Sequence, residues 1–427
     1  MGRGRGAMSG DDGRMIRRAG AKTRREFLTS AAAVTAAGGM AALLPLGCEE
    51  PKSKMGQGAL APTLNDVNGP RSLRAHGAAR GLLVGCAVNP DYLDGEPEYA
   101  RTVAEQASIV VPENAMKWAA LRPNPTQYDF RKADDVVVFA LSHEQKVRGH
   151  NLCWHEAIPA WFAGTVTKAN AAQYLTQHIQ TVAGRYAGRL HSWDVVNEAI
   201  ELKDGRPDGL RNSPWLELIG PSYIELAFRT AREADRTALL TYNDYGIELD
   251  TQEHIDKRGQ VMMLVRRMQA RGVPIDAVGI QSHLGAGDAP GPGLIHFIRE
   301  LRAMNLQVFI TEMDVNDRKL PEPVADRDAG VAKTYRDYLT PVLAEPNVTA
   351  ALTWGITDRY TWLNGLPHAS RADGKPERPL LFDYDYNPTP AFFAERDAID
   401  GRPTQALPGA NPYAPFNPTQ PQRPQSE

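Results

Sequence analysis

Short β-rich runs alternate with longer amphipathic stretches through most of the chain. The strand-like runs are Leu82 to Val88, Ser108 to Pro112, Val147 to Trp154, Ser192 to Asn197, Ala238 to Asn243, Ala277 to Ser282, Gln307 to Glu312 and Ala350 to Gly355. Between them lie helical candidates, among them Arg131 to Gln145, Asn170 to Tyr186, Tyr223 to Ala234, His254 to Ala270 and Val331 to Ala344. This alternation predicts a parallel sheet with crossover helices. Eight β/α units within about 325 residues predict an α/β fold, a single (β/α)8 TIM barrel over residues 76–400. An open doubly wound sheet would follow the same alternation, but no GxGxxG or GxxxxGK[ST] follows any of these strands, so its usual nucleotide site is missing.

Both ends depart from the pattern. Arg14, Arg17, Arg18, Lys22, Arg24 and Arg25 precede a weakly hydrophobic, alanine-rich stretch that ends in small residues before Cys48. That layout predicts an export signal over 1–47 rather than a membrane span. Thr23-Arg24-Arg25-Glu26-Phe27-Leu28 resembles the twin-arginine motif, and Leu44-Pro45-Leu46-Gly47-Cys48 resembles a lipoprotein processing site, with proline where an aliphatic residue is usual. The expected product is therefore exported from a bacterial cytoplasm, either free or held to the membrane by lipid on Cys48. Residues 48–75 read as a polar linker and 401–427, rich in proline, as a disordered tail.

Charge sharpens this division. Residues 1–25 hold eight Lys/Arg against Asp11 and Asp12, while the 427-residue chain as a whole has a net charge of -3, so the body is acidic. An acidic body argues against nucleic acid as a partner. Three cysteines, Cys48, Cys86 and Cys153, cannot build a disulfide framework, and no CxxC or Cys/His cluster has zinc spacing. Neither a metal nor a cofactor is expected, and the protein is expected to be a monomer.

Polar side chains collect where the predicted strands end, which in a barrel is the face that carries function. Glu113, Asn114, Lys117 and Trp118 follow the second run; His150, Trp154 and His155 belong to the third; Asn197 and Glu198 end the fourth. Asn243, Asp244 and Tyr245 end the fifth, Gln281, Ser282 and His283 the sixth, Glu312 and Asp314 the seventh, and Trp354, Asp358 and Trp362 the eighth. Two glutamates among tryptophans, amides and imidazoles suit an uncharged polyhydroxylated ligand: sugar rings stack on tryptophan, while paired carboxyls perform general acid/base or nucleophilic work. The residues alone point to a glycosidase.

Four blocks carry a closer likeness. Gly149-His150-Asn151-Leu152-Cys153-Trp154-His155, Trp193-Asp194-Val195-Val196-Asn197-Glu198-Ala199, Ile310-Thr311-Glu312-Met313-Asp314-Val315 and Thr353-Trp354-Gly355-Ile356-Thr357-Asp358 resemble the signature blocks of glycoside hydrolase family 10, the endo-1,4-β-xylanases, in the family's order. The resemblance implies a retaining mechanism on xylan or xylo-oligosaccharides, with Glu198 as general acid and then base, and Glu312 as nucleophile. It implies supporting roles for Asn197, His283 and Asp314. Glu113, Asn114, Lys117, His150, Trp154, Gln281, Trp354 and Trp362 would bind the glycone side, and Tyr245 the leaving-group side. Gly246-Ile247-Glu248, where many relatives continue with asparagine after the tyrosine, and the Gly285 to Gly293 loop depart from the pattern. A β-1,4-glucanase or mixed-specificity enzyme is the nearest alternative. A non-catalytic carbohydrate-binding lipoprotein would be expected to have lost Glu198, Glu312 or their neighbours.

Overall fold

The computed structural model describes residues 67–405. Its strands are β1 (Leu83–Val88), β2 (Ile109–Pro112), β3 (Lys146–Cys153), β4 (Ser192–Asn197), β5 (Leu239–Asp244), β6 (Ala277–Ile280), β7 (His283–Gly285), β8 (Gln307–Asn316) and β9 (Val348–Thr353). All pairings between them are parallel, β1 pairs with both β2 and β9, and β6 pairs with β8, so eight strands close into a barrel and β7 stands outside it. Helices follow the barrel strands in turn: Pro97–Gln106, Arg131–Ser142, Ala171–Arg185, Tyr223–Ala234, Gln252–Ala270, Pro292–Ala303, Val324–Leu343 and Pro390–Asp400. This is the predicted (β/α)8 barrel.

The period of two along each strand divides the core. Leu83 and Ala87 of β1, Ile109 and Val111 of β2, Phe309 of β8 and Ala350 and Leu352 of β9 form one cluster inside the barrel. Their neighbours Val84, Cys86, Val88, Val110, Val308 and Ile310 belong to the larger cluster packed against the helices. Cys86 and Cys153 are buried free thiols. Trp193 packs outward between sheet and helix, fully buried near Tyr186, and Trp118 is likewise core, its indole N–H donating to Leu152 O at 2.8 Å.

Several boundaries differ from expectation. The folded body starts before residue 76, since Val67 is buried and Leu73–Arg80 is already helical. Gln106 explains this: its side chain accepts from Leu73 N and donates to Val67 O, both at 3.0 Å. At the other end Arg402 is buried and donates to Leu343 O at 2.8 Å, so the tail does not begin at 401. The export signal, Cys48, most of the linker and residues 406–427 lie outside the described residues. β8 continues to Asn316 because β7 supplies a second partner there, with His283 opposite Asp314. The helix expected from Val331 starts at Val324; its first turns hold Arg327 and Asp328, which break the apolar pattern yet make ion pairs with Asp317 and Arg378.

Gly149 in β3 leaves room for the Trp193 ring, against which a Cβ would collide. Gly149→Ala should therefore lower stability by about 1–3 kcal/mol through overpacking. Denaturant unfolding measures this, and an unchanged midpoint would mean that the indole moves aside freely.

Candidate active site

Glu198 is the first residue beyond β4 and takes a left-handed backbone, φ 57°. Its amide donates to Asn243 O at 2.8 Å, and its side chain turns into the mouth of the barrel. Oε1 accepts from Gln281 Nε2 at 2.8 Å and Asn197 Nδ2 at 3.1 Å, and Oε2 accepts from Trp154 Nε1 at 2.9 Å. His155 Nδ1 lies 4.0 Å from Oε2, so this histidine sits beside the carboxyl. Burial pushes the Glu198 pKa up, and the charges of Asp244 and Glu312 add to it. The Gln281 and Trp154 hydrogen bonds oppose the rise, and the result is about 7.

Glu312, within β8, has the opposite surroundings. Oε1 accepts from Asn243 Nδ2 at 2.8 Å and lies 3.7 Å from Arg148 Nη2, while Oε2 faces His283 Nε2 at 3.4 Å. Burial pushes this carboxyl up too, but the His283 hydrogen bond and the nearby His150, His283 and Arg148 side chains outweigh it and bring it to about 2. Burial alone would lower the His283 pKa; Asp314, with Oδ1 3.0 Å from Nδ1, and Glu312 hold it well above the usual imidazole range. Asp314 is fixed in turn by the Trp362 indole N–H at 2.7 Å. At neutral pH the site therefore holds a Glu198 that keeps its proton in roughly half of the molecules and an ionised Glu312 facing an imidazolium. Two amides join them, since Asn243 Nδ2 also donates to Asn197 Oδ1 at 2.8 Å.

The order of strands gives the site two sides. β4 carries Glu198 and β8 carries Glu312; β3, β2, β1 and β9 form the arc between them on one side, β5 and β6 on the other. Glu113, Asn114, Lys117, His150, Trp154, Trp354 and Trp362 all belong to the first arc. Lys117 Nζ donates to Asn114 Oδ1 at 2.8 Å and stands 5.0 Å from the Trp154 ring and 5.8 Å from the Trp354 ring. Burial lowers its pKa and raises that of Glu113. One cleft is lined by Glu113, Trp354 and Trp362 together with Tyr92 and Tyr360, whose rings stack at 3.8 Å. Tyr245, Gln281 and His283 stand on the second arc. His150 is nearly enclosed: Nδ1 lies 2.8 Å from Asp194 Oδ2 and the ring meets Trp354 edge to face.

Arg148, Asp194 and Asn243 are site residues that the strand-end pattern did not single out for a role. Arg148 and Asp194 are fully buried and paired with each other, and Arg148 Nη1 donates to Thr311 O at 3.2 Å. A charged residue inside an apolar strand was the available signal. His150, Asp194 and Glu312 come close enough to share a cation among their donor atoms. The Arg148 guanidinium already lies against both carboxylates, however, so this donor set is the ion-pair cluster that supports Glu312.

A family model described as Glycosyl hydrolase family 10 matches residues 72–398. A beta-1,4-xylanase from Dictyoglomus thermophilum is 36% identical over 304 residues, 69% of this chain and 83% of that protein. A thermostable celloxylanase from Thermoclostridium stercorarium is 34% identical over 339 residues, 73% of this chain and 83% of that protein. Among solved structures, xylanase 10B from Thermotoga petrophila RKU-1 in complex with xylobiose is similar with a TM-score of 0.70 and 33% identity, covering 77% of this chain and 97% of that one.

The opposed surroundings of the two carboxyls can be read directly by NMR of protein carrying carboxyl-labelled glutamate. One signal should titrate at about 7 and vanish in Glu198→Gln, and another at about 2 and vanish in Glu312→Gln. Trp154→Phe removes a donor that favours ionised Glu198, so its titration should move up by about half a unit to one unit. A downward move would contradict the geometry.

Proposed function

The chain belongs to glycosyl hydrolase family 10, and from that premise we propose that it is an endo-1,4-β-xylanase that works with retention. Glu198 is its general acid and then base, and Glu312 is its nucleophile. The observation that supports the assignment is the opposed surroundings of two buried carboxyls, Glu198 among neutral donors with its proton affinity raised by burial and Glu312 held ionised by His283 and Arg148. In the first step a Glu312 oxygen bonds to the anomeric carbon as the glycosidic C–O bond breaks, and Glu198 gives its proton to the leaving oxygen. In the second, Glu198, now a carboxylate, takes a proton from water as that water displaces Glu312 and restores the β configuration. Glu113, Asn114, Lys117, Trp154, Trp354 and Trp362 hold the glycone, and Tyr245 the leaving group.

Xylan is the preferred backbone in this reading. Trp354 and Trp362 stand where glucose would carry its hydroxymethyl group and xylose has only hydrogen. A difference of one small group is worth about 1–3 kcal/mol, so glucan turnover should be lower by roughly 10 to 200-fold rather than absent. Chromatography of products from xylan, cellulose and mannan tests this. Equal rates on xylan and cellulose would favour the mixed-specificity alternative, and no hydrolysis of any would favour a binding protein.

Chemical rescue separates the two glutamates. Glu198→Ala with azide and an activated aryl β-xyloside should give the β-xylosyl azide, because azide attacks a glycosyl-enzyme on Glu312. Glu312→Ala should give the α product by a single displacement. The opposite pair of configurations, read by proton NMR, would mean that the roles are exchanged.

Export is part of the same proposal, supported by Thr23 to Leu28 ahead of the alanine-rich stretch. Replacing Arg24 and Arg25 with lysine should leave precursor in the cytoplasm of the bacterial host. Undiminished export of the double variant would exclude the twin-arginine route.

A further inference from the structure

Gly246, directly after Tyr245, has φ +69°, a left-handed conformation that suits glycine. A Cβ at this position would meet Lys257 Cδ at 3.5 Å and Nζ at 3.7 Å, so the lysine reaches into the space beside the glycine. Lys257 comes from helix Gln252–Ala270 and is only 4% exposed. Burying an ammonium is unfavourable unless it is paired. Its partner is Asp244, fully buried at the end of β5, whose Oδ1 lies 2.8 Å from Nζ and also accepts the Tyr245 amide at 2.9 Å. The other Asp244 oxygen accepts from Tyr242 OH.

The same ammonium stands 3.9 Å from the centroid of the Tyr245 ring, a cation–π distance. The far end of that side chain is gripped as well. Tyr245 OH accepts from Arg211 Nη2 at 2.9 Å and donates to Glu201 Oε2 at 3.2 Å. Arg211 Nε in turn donates to the Glu198 carbonyl at 2.8 Å. A loop tyrosine is thus held at its tip by Arg211 and Glu201 and at its face by Lys257, which also neutralises Asp244. A methionine would fill Lys257's volume without the desolvation penalty, so packing alone does not account for the charge.

We propose that Lys257 is a positioning residue for the leaving-group side: it fixes the Tyr245 ring as that side's platform and, by neutralising Asp244, limits how tightly Glu198 holds its proton. This rests on the xylanase reading above. The groups facing Glu198 are His155, Asp244, Glu312, Lys117, Arg211 and Tyr245. Those facing Lys257, besides Asp244 and Tyr245, are Arg211, Glu201, His155 and His254. Removing the ammonium leaves Asp244 uncompensated, and an uncompensated anion favours the protonated form of Glu198.

The test compares the full chain with Lys257→Met and with Asp244→Asn/Lys257→Met, which removes both charges and guards against misfolding of the single variant. Kinetics are measured on xylohexaose, which spans both arcs, and on an aryl xylobioside, which needs only the glycone arc. In both variants the ratio of kcat/KM for xylohexaose to that for the aryl substrate should fall about fivefold, because the platform is loosened. The alkaline limb of kcat/KM should move up by about half a unit in Lys257→Met and return toward the wild-type position in the double variant. An active Lys257→Met with unchanged ratio and limb would overturn the proposal, as would an unchanged ratio in the double variant if the single one does not fold. Failure of the wild type to cleave xylohexaose would instead remove the reading beneath it.

Discussion

Two carboxyls buried in the mouth of one barrel cannot both be ionised unless fixed positive charge stabilises one of them. Here the positive charge is distributed unequally. Arg148, anchored on Asp194, and His283, anchored on Asp314, both face Glu312. Glu198 is left with neutral donors from Asn197, Gln281 and Trp154. Much of the mouth serves this imbalance: Trp362 secures Asp314, and the Asn243–Asn197 bridge keeps the carboxyls in one hydrogen-bonded frame. The opposite shifts in proton affinity follow from where Arg148 and His283 stand, because the two glutamates are intrinsically the same acid.

The parallel sheet is what allows each contributor to be so short a segment. Every barrel strand delivers its last residues to the same end, so Glu198, Tyr245, Gln281 and Glu312 meet although long helices separate them in sequence. Inward positions nearer the barrel centre are apolar, Leu83, Ile109, Phe309 and Leu352 among them, and exclude water beneath the polar layer. That dry floor raises the proton affinity of Glu198 and strengthens the Arg148–Asp194 pair above it.

Much of this was legible in the sequence because a strand end is a local signal. Asn197-Glu198, Gln281-Ser282-His283 and Trp354 each follow an apolar run and could be placed at the mouth without any knowledge of pairing. Arg148 and Asp194 could not be assigned in that way: they lie inside β3 and β4, and their contact depends on the register that sets His150 opposite Asp194. The extent of β8 was hidden for a similar reason, since its last residues are strand only because β7 lies alongside. The start at Val67 depended on one glutamine, Gln106, reaching back to the segment before β1.

The seam between β1 and β9 joins the first and last units of the barrel. Across it the chain's extremes are tied again, by His76 to Asp400 at 2.7 Å and by Glu96, which accepts from both Tyr360 and Tyr386. Trp354 and Trp362 come from the last unit, so two of the seven side chains named on the β3–β2–β1–β9 arc are synthesised after the other five. The earlier units can collapse locally while the chain grows, but the seam is the pairing with the greatest loop entropy to overcome and forms last. A nascent chain that stops short of β9 therefore has both Glu198 and Glu312 and an open sheet with two unpaired edges, an intermediate that is exposed to aggregation before it has a complete cleft.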